Sequence, residues 1–445
     1  MRERYVLLGL ARARADWFRT VSQWSTSASL PAEFVRCVSA EELRARLTSG
    51  RSFSAALVDG ATPGVDRDLI AMASEAGCAV LVVDDGHATR DWRELGAAAV
   101  LASAFSRDEL LEVLAATSAM VGSATVDDAQ PELRDVRSRG RLIAVTGPGG
   151  TGASVTAIAL AQGFATGEGL SSPRGRRQAP RPPSVLLADL CRTADQAMLH
   201  DSRVVVPGIQ ELVEAHRTST PLHQQLLDQT FEVPQRGYRL VLGLRRARHW
   251  VAIRPRALDA TLDSLQRLAD IVVADVDPDV EGEADAGSTD VEERNLLSRA
   301  TLTRADAALV VGEPSMKGLF ALVRTLSDLL GLGVPVDRLI PVISRSPRSP
   351  RQRAEISSSL ADLLASSAGT TADRLVAPVH IPTRDLDAAL RDGVALPGAG
   401  PRILAGVVLA VLDRAGDVPP EPAASPVPVA PGSLSGFTSQ EPPRS

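Results

Sequence analysis

The sequence predicts an α/β protein made of two successive blocks of alternating strands and helices, each with a mostly parallel sheet. Three observations carry this. Short apolar runs bounded by turn residues alternate with stretches whose apolar residues recur every three or four positions. The chain has 445 residues and is 44% hydrophobic, enough for two or three domains and at least one large core. A polar stretch without periodicity, "GSATVDDAQPELRDVRSRGR", separates the two blocks.

The first block is expected to span residues 1–121. Its strands are "YVLLGLA", "FVRCVS", "SAALVD", "AVLVVDD" and "AAAVLAS"; its amphipathic helices are "AEELRARL", "RDLIAMASEA" and "RDELLEVLAATSAM". Residues 122–140 are the expected linker. The second block runs over 141–415, with a Pro-, Gly- and Arg-rich insert at about 167–183 that reads as a disordered, solvated loop. Residues 416–445 read as a disordered Pro/Ser-rich tail.

Composition narrows the function. A net charge of −6 argues against a general nucleic-acid binder, and 3% aromatics leave little for stacking. The basic run "RRARHWVAIRPRA" could touch a DNA backbone, but reads better as a loop lip beside a strand. Cys37, Cys78 and Cys191 lack C-x-x-C spacing, which argues against a disulfide framework or a zinc site and suits a reducing cytosol. The six histidines lack ligand spacing, and His200, His216 and His223 read as surface or cap residues. "ILAGVVLAVL" is too short to cross a bilayer and reads as a core helix. The protein is expected to be cytoplasmic, with any recruitment to the inner face of the membrane or septum running through partners.

The second block opens with strand "LIAVT", loop "GPGGTGASV" and helix "TAIALAQGFA". Glycines let a backbone approach phosphate, and N–H groups at a helix start can cradle it without any lysine. The loop also spells G-x-G-x-x-G through Gly147, Gly149 and Gly152, the dinucleotide fingerprint. Asp189 would then be the acidic partner, at roughly forty residues' spacing against the usual ~20. A tight turn with no ligand is the third reading.

An ordered set of segments resembles the MinD/ParA group of P-loop ATPases over some 270 residues. In that family's loop, K-G-G-x-G-K-[ST]-[ST], Pro148 here takes the signature lysine position and Ala153 the second lysine, while Gly149, Gly150, Gly152 and Ser154 match. "VLLADLCRTADQAMLH" is similar to the switch region, with Asp189 at the first acid and Cys191 replacing the second. "LADIVVADVDPD" looks like a Walker B strand ending in Asp275; "ADAALVVGEPSMKGLFALVRTLSDL" and "VHIPTRDLDAALRDGVAL" are similar to the later strands and helices. The resemblance implies ATP or ADP held by Gly149, Gly150, Thr151, Gly152, Ala153, Ser154 and Val155. It implies Mg on Ser154 and Asp275, and Asp189 as a candidate catalytic acid. Pro382 would lie against the base, and Ser344 stands where a base-reading Asn is usual. Loss of both lysines should cripple hydrolysis more than binding, because charge stabilisation dominates phosphoryl transfer. The chain's only lysine, Lys317, is the only other one available to replace them.

The first block resembles a response-regulator receiver, a flavodoxin-like βα domain, and its position before a MinD-like block resembles CpaE and TadZ proteins of pilus assembly. Asp59 ends the third strand and Pro63 follows by four; "GAAAVLASAF" is similar to the receiver's lysine segment, with Ser103 in place of the lysine. The acidic pair after the first strand is missing, so Asp59 reads as a pseudo-phosphoacceptor in a domain used for dimerisation or docking. The alternative is a phosphorylated switch. Together these features resemble actinobacterial CpaE-like septum-site-determining proteins. They imply a homodimeric, weakly catalytic or non-catalytic positioning factor that binds proteins of the division, pilus or secretion machinery. Alternatives are an active nucleotide-switched ATPase and an NAD(P)-binding Rossmann protein.

Overall fold

The computed structural model describes residues 4–12, 15–27, 29–84, 86, 90–121, 139–167, 182–368 and 374–416. The expected linker, insert and tail fall almost wholly outside the described residues.

Two sheets form. The first is built from β1 (Tyr5–Leu10), β2 (Ala32–Cys37), β3 (Ala55–Asp59), β4 (Ala79–Val83) and β5 (Ala99–Leu101). The helices α1 (Asp16–Thr26), α2 (Ala40–Leu47), α3 (Arg67–Glu75) and α4 (Arg107–Thr117) cover it. All its strands are parallel, in the order β2-β1-β3-β4-β5, the doubly wound arrangement that opens a crevice where the order reverses. α1 was not expected; its Trp17 and Val21 join Leu110 and Leu114 of α4 on one face of the sheet.

The second sheet contains β6 (Arg141–Thr146), β7 (Val185–Asp189), β8 (Phe231–Val233), β9 (Tyr238–Val241), β10 (Ile271–Asp275), β11 (Ala307–Gly312), β12 (Leu339–Ser346) and β13 (Val379–Pro382). Its order is β13-β12-β11-β6-β10-β7-β9-β8, parallel except for the β8–β9 hairpin at one edge. The helices after β6 are α5 (Ala153–Ala165), α6 (Gln196–Leu199), α7 (Ile209–Thr218), α8 (His223–Leu227), α9 (Pro255–Leu268), α10 (Glu283–Ala286), α11 (Thr289–Arg294) and α12 (Leu296–Arg304). The last four are α13 (Met316–Gly331), α14 (Pro350–Ala368), α15 (Asp387–Arg391) and α16 (Gly400–Gly416).

The central strands β7, β10 and β11 are buried along their whole length, and β6 everywhere but at Arg141, as apolar runs require when helices cover both faces. On one face α5 and α16 pack together, so closely that a methyl at Gly163 would lie 2.1 Å from Pro401 O. On the other lie α7, α9, α12, α13 and α14. The expected core helix at 403–412 is part of α16, and none of the described helices is long and apolar enough to cross a membrane.

The strand order corrects one alternative. A dinucleotide fold places its second strand beside its first. Here β10 lies between β6 and β7, so the Rossmann reading of Gly147, Gly149, Gly152 and Asp189 does not fit.

The two sheets meet through α3. Asp66 caps that helix through Leu69 N at 3.0 Å, and its Oδ2 accepts from Arg217 Nη2 at 2.7 Å and Nε at 3.2 Å. Arg67 Nε donates to His216 O at 3.0 Å, Arg256 N donates to Asp68 Oδ1 at 2.8 Å, and Arg256 also pairs with Glu75.

Candidate functional site

The loop 147–152 lies at the C-terminal edge of the second sheet, between the end of β6 and the start of α5. Gly147 needs to be glycine because β11 passes close by: a Cβ there would lie 2.4 Å from Val311 O. Gly150 and Gly152 are glycines for backbone reasons, with φ of +84° and +86° and open space where a Cβ would go. Thr151 is buried, and its Oγ1 donates to Pro148 O at 2.7 Å, closing the turn. Gly152 caps α5 without a side chain, so the opening N–H groups of the helix remain available to a ligand's oxygens. Ala153, Ser154 and Val155 form that first turn.

Lys317 is not among the residues lining the cleft beside the loop. A cleft of 900 Å³ adjoins Pro148 and Gly149, and its charged lining residues are Asp279, Glu281, Asp285, Asp328, Arg299 and Arg324. Four acids against two arginines make poor company for a polyphosphate. Arg299 is moreover engaged with Val280 O and with Glu292.

Behind the loop the sheet brings Asp189 and Asp275 together. They end adjacent parallel strands as register partners, and both are buried, at 0% and 1% exposure. Asp189 Oδ1 accepts from Cys191 N at 3.2 Å and Oδ2 from Gln196 N at 2.9 Å. Gln196 Nε2 donates to Asp275 Oδ2 at 2.7 Å and to Ser154 O at 3.2 Å. Burial pushes the Asp275 carboxyl up to about 6, against hydrogen bonds from the Gln196 and Ser154 side chains. Burial, and then the neighbouring Asp275, push Asp189 well above the carboxylate range. Gln196 thus joins the Ser154 backbone to Asp275, and Asp275 Oδ1 is buried without a hydrogen-bond partner. This oxygen set suits a Mg²⁺ ion carried by a nucleotide.

Gln196 was missed from sequence, although its side chain joins Ser154 to Asp275. An amide 42 residues from Ser154 and 79 from Asp275 gives no local signal. Pro382 and Val155 do come together, around a small cavity of 70 Å³ shared with Ile381, Arg384, Pro397 and Pro401. Ser344 is 9% exposed, and its Oγ donates to Gly312 O at 3.1 Å.

One histidine, His216, corrects the expectation of surface or cap roles, whereas His200 sits at the C-cap of α6 and His223 is exposed. His216 is fully buried, bonded to Leu212 O at 2.7 Å and Ser264 Oγ at 2.9 Å. His200 is held between Gln196 O and Tyr238 Oη, both at 2.7 Å.

In the first sheet, Asp59 is 4% exposed at the floor of a 790 Å³ cleft lined by Trp17, Trp24, Ser103, Ala104 and Phe105. Its Oδ2 accepts from Arg12 Nε at 2.8 Å and its Oδ1 from Ala61 N at 2.9 Å. The guanidinium lies against the carboxylate that would have to accept a phosphoryl group.

No protein-family model matches the chain, and no curated protein matches it. Solved structures similar to it include a ParA family ATPase from Chlorobium tepidum TLS, at 16% identity, covering 62% of this chain and 99% of that one, TM-score 0.40. Apo McdA from Cyanthece is 18% identical, with 62% and 99% covered and a TM-score of 0.42. The septum site-determining protein MinD with Mg-ADP from Pyrococcus horikoshii OT3 is 17% identical, with 62% and 96% covered and a TM-score of 0.39. Likenesses this distant do not bear on what the chain binds or does.

Proposed function

We propose that this chain is a positioning factor of the MinD/ParA kind, CpaE-like in layout, whose nucleotide site holds ATP or ADP weakly and hydrolyses it slowly or not at all. The observation that carries the reading is the loop itself. Gly150 and Gly152 keep the left-handed turns that open α5 toward an anion, while Pro148 and Ala153 supply no charge and the adjoining cleft is acidic. Ser154 and Asp275 would hold the Mg²⁺, which supplies charge neutralisation for the outer phosphates. Residues 1–121 would serve as a docking or dimerising unit, with Asp59 neutralised by Arg12 rather than phosphorylated. The partners would belong to division, pilus or secretion machinery.

Calorimetry with ATP, ADP and NAD, followed by turnover assays, tests this. The expected result is weak ATP binding, no NAD binding, and turnover no higher than that of Asp275→Ala. Turnover that collapses in Asp275→Ala would establish an active ATPase instead. Tight NAD binding without ATP binding would restore a dinucleotide reading.

A further inference from the structure

The second sheet contains a buried ligand set that the nucleotide reading uses only in part. Asp189 and Asp275 are register partners on β7 and β10, and Cys191 follows Asp189 by two residues. A carboxylate oxygen from each acid and the Cys191 Sγ all lie within 4.8 Å of one another. Exposures are 0%, 1% and 8%. Asp275 Oδ1 and the neighbouring Gln196 Oε1 are both buried with no hydrogen-bond partner. The charged groups that act most strongly on the two carboxyls from outside the pair are also acids, Asp195 and Asp277. Arg192 stands nearby, but it acts on Asp277 and donates to Asn295 Oδ1 at 3.3 Å.

Two carboxyls set side by side without a cation are expensive to bury in a sheet interior. A divalent ion removes that cost and satisfies the orphaned oxygen. The donor set also selects which ion. Mg²⁺ wants six oxygens in a near-ideal octahedron and keeps several waters, whereas a thiolate with two carboxylates in a closed site suits Zn²⁺ or Co²⁺ at low coordination number. Gln196 supplies the outer support such sites need, donating from its backbone to Asp189 and from its side chain to Asp275. We propose that Asp189, Cys191 and Asp275 bind a thiophilic divalent cation of the zinc or cobalt class, independently of nucleotide. On binding, the Cys191 thiol and the protonated Asp189 carboxyl release their protons to solvent, and the thiolate and carboxylates take the metal with no change of oxidation state.

The test uses the full chain, stripped by chelation and titrated with Co²⁺ in the absence of nucleotide. The expected result is one equivalent bound, with a near-ultraviolet thiolate-to-cobalt charge-transfer band that Zn²⁺ abolishes and excess Mg²⁺ leaves in place. Cys191→Ser, chosen to keep the size of the side chain, loses the band. Cys37→Ala and Cys78→Ala keep it, because those thiols belong to the core of the first sheet. Gln196→Ala weakens Co²⁺ binding about 10- to 100-fold. No band in the folded wild type, a band surviving in Cys191→Ser, or displacement of Co²⁺ by Mg²⁺ would each overturn the proposal. Because no nucleotide is present, failure of ATP binding leaves this outcome standing, and the reverse also holds.

Discussion

Replacing Asp66 probes the contact that ties the two sheets together. The side chain is 3% exposed, and it serves two purposes: Oδ1 caps α3 through Leu69 N, while Arg217 and Arg44 reach its two oxygens at 2.7 and 3.4 Å. Both arginine side chains are 25% exposed, so the pairs are mostly screened from solvent. Losing an N-cap costs about 1 kcal/mol. Stranding largely buried arginines adds about 2–3 kcal/mol by analogy with charge-assisted bonds. Asp66→Ala should therefore destabilise by about 3–4 kcal/mol. Asp66→Asn, which keeps a capping oxygen, should lose only the charged part. Trp17, Trp24 and Trp92 belong to the first sheet and Trp250 to the second, so urea unfolding followed by tryptophan fluorescence reports mainly on the first. At about 1–3 kcal/mol per molar urea, the expected shift in midpoint is about 1–4 M. A double-mutant cycle with Arg217→Met isolates the tie from the cap. A shift for Asp66→Ala no larger than that of Asp66→Asn, with zero coupling to Arg217, would refute the reasoning.

Other perturbations follow from the same geometry. Burial holds His216 at about 4 against an unfolded value near 6.5, so the unfolded chain takes up the proton first as pH falls. Stability is full above pH 6.5 and should drop by about 3 kcal/mol on approach to pH 4; denaturation across that window should show a shallower slope in His216→Gln. Gly163→Ala forces a methyl against the Pro401 carbonyl and should cost about 1–3 kcal/mol in thermal unfolding. Gly152→Ala meets no atom, so its cost should be purely torsional, about 1–2 kcal/mol, with ATP binding measured by calorimetry reduced alongside. Ala153→Lys should tighten ATP binding in the same measurement. Unchanged affinity would show that the acidic lining around Pro148, rather than the missing lysine, limits the site.

Local pattern was enough for the α/β class. The apolar runs of β6, β7, β10 and β11 and the three- and four-residue spacing of α2, α3 and α4 are readable because burial repeats at the period of the element. α1 was passed over because "DWFRTVSQWST" mixes three aromatics with polar residues, and only its packing on α4 shows which side is buried. The glycine loop was legible for a different reason: left-handed turns at Gly150 and Gly152 demand a residue type that sequence displays directly.

What the sequence determined by itself is therefore local: strands, helices, the turn before α5, and the absence of lysine from it. Tertiary structure decided who meets whom. Asp189 and Asp275 are 86 residues apart, and insertion of β10 between β6 and β7 makes them neighbours. That one choice of strand order excludes the dinucleotide fold. It also places Gln196 across both acids and turns Cys191, whose spacing had argued against a metal site, toward a buried acid pair. Sequence spacing records only distances along the chain, whereas a parallel sheet sets its contacts by strand order and register.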